Sequence, residues 1–262
     1  MNRAITWSYG GGTQSIAIAC LIAEGRLPVP ECAVMADTGK EMTETWDYLR
    51  EYVQPMLADV GCVIEIAPHS LATVDLYSKK GEALMPLYTQ EGMLQTFCSS
   101  EWKKLVIQRY LRSKRYGPSN PVTTWIGFSL DEKHRAKHQS LQWQKLAFPL
   151  LFDVPSTRHD CYRIVEAHGF PTPPKSSCID CPFKTNAAWR RQRDLYPQDH
   201  QRAIEIDNEL RAYDIANGRS GVYVHRDRIP LSEVDLDKDD KLGKDGGLVA
   251  DLFECQSGQC FI

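Results

Sequence analysis

Apolar residues gather in short runs near the start of the chain, and the runs change period as they alternate. Ala4–Ser8 is a short β-prone stretch that leads directly into Gly10, Gly11 and Gly12. Residues 14–23 are apolar on nearly every side, which reads as a buried helix closed by Gly25 and Pro28. Cys32–Ala36 is a compact apolar run of strand length, ended by Asp37, Thr38 and Gly39. Across residues 41–60, Trp46, Leu49, Val53 and Leu57 fall three or four positions apart, marking one face of an amphipathic helix. Residues 63–66 supply a third strand. This alternation predicts an α/β fold: a doubly wound, mostly parallel sheet with flanking helices and ligands at the carboxyl ends of its strands.

Further along, residues 102–114 read as a basic amphipathic helix, 121–128 as a strand, and 129–137 as a polar connection. A helix over 156–168 starts with a Ser/Thr cap pattern. Pro171, Thr172, Pro173 and Pro174 make a stiff link to a tight turn holding Cys178 and Cys181. A long helix over 186–217 should break at Pro197. The expected organisation is an α/β domain at 1–150, a smaller cysteine-containing helical region at 151–235, and a poorly ordered tail at 236–262 ending in Cys255 and Cys260.

Composition narrows the picture. With 262 residues, 25% charged and 42% hydrophobic, the chain can bury a full core. A net charge of −3 gives no global attraction to nucleic acid or anionic lipid. No apolar run reaches the 18 or so residues a membrane span requires. The first seven residues carry one basic side chain and a short apolar piece, which reads as a first strand rather than a signal peptide. Nine cysteines without a secretory signal point to thiol chemistry or metal binding in a reducing compartment, hence to the cytoplasm. Cys20, Cys32 and Cys62 lie in apolar runs and read as core packing.

The glycines carry the main candidate chemistry. Three of them between a strand and a helix let backbone approach an anion, and the free N–H groups at the helix start point toward it. Ser8, Thr13 and Ser15 add hydroxyl donors. No Gly-Lys-Ser/Thr follows, so the loop is not a Walker A sequence. The segment from Ser8 to Ser15 resembles the PP-loop of the adenine-nucleotide α-hydrolase superfamily. More closely, it is similar to the phosphoadenosine phosphosulfate (PAPS) reductase-like branch, near its DNA-phosphorothioation and phage-type members. Further motifs follow in family order: Asp37, Thr38 and Gly39 with Glu44 and Thr45; Phe97 and Cys98 before Trp102 and Lys103; Gly127 to Glu132 with Arg135; Thr157, Arg158 and Cys161; and Ser177 to Phe183 around Cys178 and Cys181. Two departures stand out, for Gln14 replaces an Asp and Gly10 replaces a Ser of the ATP pyrophosphatases.

The resemblance implies ATP or a related adenine nucleotide, with Mg²⁺, held by Ser8, Gly10, Gly11, Gly12, Thr13, Gln14, Ser15, Asp37, Thr38 and Gly127. Ser15, Asp37, Lys103, Asp131 and Arg135 become the candidate catalytic residues. Cys98, Cys161, Cys178 and Cys181 form the candidate quartet for a [4Fe–4S] cluster. The rival quartet is a zinc site of Cys178, Cys181, Cys255 and Cys260. Cys255 and Cys260 otherwise read as a mobile thiol pair or as incidental tail residues.

Three basic groups remain: Lys103 to Arg115, Lys133 to Lys137, and Lys184 to Arg193 with Trp189 among them. They read either as a groove for DNA or tRNA or as solvated helix faces. His134 and His138 lie among cations and do not suggest a metal pair, while His225, Arg226 and Arg228 read as a surface turn or a phosphate contact. The function these features imply is adenylyl activation by ATP followed by sulfur transfer to a nucleic acid or nucleotide, with a sulfur-donor or thiol-reductant protein as partner and a homo-oligomer as a further expectation. Alternatives are a sulfonucleotide reductase and a non-catalytic nucleotide-sensing subunit of a modification or defence complex.

Overall fold

The computed structural model describes residues 3–96, 98–137 and 141–238. Phe97, His138 and the tail with Cys255 and Cys260 lie outside the described residues. Strand β1 (Ala4–Ser8) leads through the glycines into helix α1 (Thr13–Ala23), then β2 (Cys32–Ala36). The amphipathic segment forms α2 (Thr43–Tyr48), a π-helical stretch (Leu49–Val53) and α3 (Gln54–Ala58). Pro55 accounts for the irregularity, because it has no N–H to continue the helical ladder. Strand β3 (Ile64–Ala67) follows, then a small antiparallel hairpin, β4 (Tyr88–Thr89) and β5 (Gly92–Met93).

A π-helical turn (Ser100–Lys104) opens α4 (Leu105–Ser113), which returns the chain to β6 (Val122–Ile126). A 3₁₀ turn (Leu130–Arg135) precedes β7 (Gln144–Ala147) and the short α5 (Pro149–Phe152). Helices α6 (Arg158–Ala167), α7 (Asn186–Leu195) and α8 (Pro197–Ala216) complete the main elements. The expected break falls at Tyr196, since Pro197 starts α8 and its ring excludes helical backbone just before it.

The main sheet has the order β3-β2-β1-β6-β7, all parallel. The fold is therefore doubly wound α/β, as the alternation predicts. Chain direction across the sheet reverses between β1 and β6, and a ligand crevice opens at such a switch point. Helices α1, α3 and α6 cover one face, over Trp7, Met35 and Trp125. Ile16, Ile18, Leu21 and Ile22 of α1 are fully buried there, each worth roughly 1.5–3 kcal/mol of transfer free energy. Helix α4 covers the other face with Val106, Ile107 and Leu111 against Val34 and Ala36.

Below α4 a polar ladder ties the strands together. Thr6 and Thr124 share a 2.8 Å hydrogen bond, Gln144 Nε2 donates to Thr124 Oγ1 at 3.0 Å, and Gln108 Nε2 donates to Gln144 Oε1 at 3.0 Å. A second core joins α7 and α8 to the segment around the hairpin, through Met85, Leu87, Trp102, Trp189, Ile206 and Val224. Residues 83–87 thus pack with the C-terminal helices, while α6 packs on α1. Among the described residues, no helix is long and apolar enough to cross a membrane.

Candidate functional site

Strand β1 delivers its carboxyl end to the glycine loop, and β6 delivers Gly127 beside it. Gly12 caps α1 without any side-chain cap, so the first amides of this buried helix stay available to a ligand. Ser15 braces the loop by accepting from Gly10 N at 3.0 Å, which leaves its own hydroxyl proton to give. Gly127 is closely packed: a Cβ there would meet Ile18 Cδ1 at 3.3 Å and Gln14 Cβ at 3.4 Å, so a neighbour would have to shift slightly. These residues enclose a pocket of about 50 Å³, lined by Ser8, Gly10, Gly12, Thr13, Gln14, Ser15 and Gly127, with Lys103, Arg158 and Lys175 at its edge.

Gly11 does a different job from its neighbours. Its φ is +74°, and a Cβ would lie 2.5 Å from Thr45 Cγ2. It turns the chain against α2 rather than lining the pocket. Gln14 donates from Nε2 to Glu132 Oε2 at 2.8 Å, and Arg135 holds the other oxygen of Glu132 at 2.5 Å. A carboxylate does reach this pocket, then, but from the loop after β6, with an arginine already on it. Arg135 also lies over the Phe128 ring, 4.6 Å from its centroid.

Other sequence candidates are placed away from the glycines. Asp37 uses Oδ1 to accept from Gly39 N at 2.7 Å and lines neither cavity described here. Asp131 accepts from Arg158 N at 2.5 Å and so helps cap α6. Thr38 faces a second, larger cavity, where its hydroxyl lies 3.8 Å from Cys178 Sγ.

That second cavity, about 350 Å³, borders the second core and shares Lys103, Lys175 and Ser176 with the glycine pocket. Cys98, Cys178 and Cys181 all line it. Burial pushes the Cys98 thiol up to about 12, with Cys181 adding to the effect and Lys103 opposing it. Cys178 is driven well above the usual thiol range, chiefly by burial and then by Glu41. Cys161 does not join them. It is fully buried on α6 in the core against α1, and desolvation raises its pKa to about 12. The [4Fe–4S] quartet is thus not brought together, because α6 turns this residue into the core. Among the described residues, no three His, Cys, Asp or Glu side chains are grouped to hold a metal ion.

Several residues outside the candidate catalytic, nucleotide and metal sets complete the site. Glu41 pairs with Lys103 at 2.7 Å and accepts from Ser176 Oγ at 3.5 Å. Burial opposes the charge on Lys103, yet Glu41 outweighs it and the lysine pKa is raised. Lys40 pairs with buried Asp180 at 2.6 Å and lies 5.2 Å from the centroid of the Trp102 ring. Lys184 is buried, donating to Ile179 O at 2.9 Å and to Gln192 Oε1; desolvation lowers its pKa to about 8. Arg158, Lys175 and Ser176 lay within or beside quoted motifs, and that adjacency was their only signal.

The basic groups spend much of their charge inside the fold. Arg109 donates to Leu71 O at 2.6 Å and Arg190 to Leu236 O at 2.8 Å, while Lys114 pairs with Glu65 and Arg191 with Glu44. Arg193 bonds Asp194 and Asp237. His225 is buried against Asn186, at 3.0 Å, and Arg228 donates to Gln90 O at 2.9 Å. No family model and no curated protein matches the chain.

Proposed function

We propose that the protein is an ATP-using enzyme of the PP-loop kind, which activates a substrate held next to the nucleotide by adenylyl transfer. The observation that carries this reading is the meeting of two cavities at the sheet's switch point. One is small and edged by backbone amides and cations; the other is larger and mainly apolar, and Lys103 stands in the wall of both. Phosphates suit the first and an organic acceptor the second. An acceptor oxygen would attack the α-phosphorus, the bond to the β-phosphate oxygen would break, and pyrophosphate would leave. Amides of the glycine loop, the Ser15 hydroxyl and the Lys103 ammonium would stabilise the charge on the phosphate oxygens.

Lys103 suits this role because Glu41 keeps it charged despite its burial. The protein side offers little to Mg²⁺: Glu132 is held by Arg135 and Gln14, and Asp37 by Gly39. The four-cysteine cluster does not fit these residues either, since Cys161 belongs to the core. Calorimetric titration of ATP tests the binding half of the reading. Pyrophosphate release in the presence of candidate acceptors tests the chemical half, and tight binding without release would favour a nucleotide sensor. The thiols Cys98, Cys178 and Cys181 around the larger cavity favour one second reading, a sulfonucleotide reductase, which would release sulfite and adenosine bisphosphate from PAPS while an external dithiol reductant is oxidised to its disulfide.

A further inference from the structure

The larger cavity has a polarity that says what it can hold. Its walls include Met42, Met85, Trp102, Pro174 and Phe183. Three of the cations on its wall are held by named partners, Lys103 by Glu41, Lys184 by Ile179 O and Gln192, and Arg191 by Glu44, and the fourth, Lys175, is not without a partner either. An anionic occupant of this cavity would meet cations that already have partners. One acceptor, in contrast, is left over. Asp180 is fully buried and lines the cavity; Lys40 holds its Oδ2, while Oδ1 has no hydrogen-bond partner among the described residues. A buried carboxylate oxygen without a donor is costly, and a ligand N–H or O–H would remove that cost. Thr96 Oγ1 is a second unpartnered group on the same wall. At about 350 Å³ the space lies near the lower end of ligand sites, roughly 300–1,000 Å³, suited to a ring system rather than a polymer.

We infer that this cavity binds an uncharged ring compound that donates one hydrogen bond to Asp180 Oδ1. Binding follows from the cavity alone; the occupant's role as the adenylylated substrate rests on the function proposed above. Indole and benzofuran make a matched pair of probes, alike in shape and different in a single N–H. The full chain carries six methionines, three of which report separately. Met42 and Met85 line the cavity, while Met35 lies beside Gly11, where an added Cβ would be 3.5 Å from its Cε.

With ¹³C-methyl methionine, indole should shift the Met42 and Met85 signals and leave Met35 in place. It should bind at least about tenfold more tightly than benzofuran, as expected for a hydrogen bond to a charged acceptor. Ala187→Phe, which fills the cavity from α7, should abolish these shifts while ATP binding, read by calorimetry, persists. Equal affinity for the two probes would overturn the assignment to Asp180. Failure of indole to move Met42 and Met85 would overturn the site altogether. If indole binds as described but calorimetry shows no ATP binding, the nucleotide reading fails and the ring site stands.

Discussion

Neighbouring glycines of the loop should respond to alanine in opposite ways. At Gly11 the backbone is left-handed, with φ +74°, which costs an L-residue roughly 1–2 kcal/mol. The new methyl would also sit 2.5 Å from Thr45 Cγ2, with Ser176 Oγ at 3.4 Å and Met35 Cε at 3.5 Å, leaving no side free to yield. Overpacking of this kind costs about 1–3 kcal/mol. Gly11→Ala should therefore lose about 2–5 kcal/mol, a fall in Tm of roughly 5–20 °C for a protein of this size. Gly12 has φ −96°, and the nearest atom to an added Cβ is Ser176 Cβ at 3.7 Å. Gly12→Ala should cost under about 1 kcal/mol, the usual difference at a helix N-cap.

Thermal and urea melts of both variants measure this contrast. Thr45→Ser, which deletes the clashing methyl, should recover the overpacking part of the Gly11→Ala loss and leave the backbone part, so the two changes should couple by about 1–3 kcal/mol. Additive effects, or equal melting temperatures for Gly11→Ala and Gly12→Ala, would refute the reasoning.

Three other outcomes follow from the geometry. Because burial lowers Lys184 to about 8, the unfolded chain holds a proton that the folded one lacks as pH rises from there toward the ordinary lysine value. Wild-type stability should then rise relative to Lys184→Met by on the order of 3 kcal/mol between about pH 8 and 10.5, read by urea melts across that window. Cys98 and Cys161, each raised to about 12, should react with iodoacetamide at pH 8 on the order of a thousandfold more slowly than a free thiol, as followed by mass spectrometry. Thr157 and Asp160 form a reciprocal cap on α6, so Thr157→Ala should cost about 0.5–2 kcal/mol in a denaturant melt.

The sheet was legible because its strands are short apolar runs and its helices carry clear periods. Ala4–Ser8 and Cys32–Ala36 coincide with β1 and β2 for that reason. Strand β7 was missed. Its first residue, Gln144, is buried, but it is polar because it belongs to the ladder with Thr124 and Gln108. Met85 and Leu87 had no local period to read, since their partners Trp189 and Val224 lie over a hundred positions away. Cys161 shows the limit of motif adjacency. It sits within the stretch that begins at Thr157 and Arg158, yet its spacing of four from buried Val165 marks the inward stripe of α6. The pairs Lys103–Glu41 and Lys40–Asp180 join residues far apart in sequence, and no local spacing encodes them.

The proposed function turns on whether the glycine loop binds adenine nucleotide. Calorimetric titration of ATP into wild-type protein and into Gly12→Ala tests this most directly, because the methyl enters the pocket without straining the fold. The account predicts saturable binding of one ATP to the wild type, and at least tenfold weaker binding, about 1.4 kcal/mol, to a variant that stays folded and loses under about 1 kcal/mol of stability. No heat of binding to the wild type, or equal affinity for the two proteins, would contradict it.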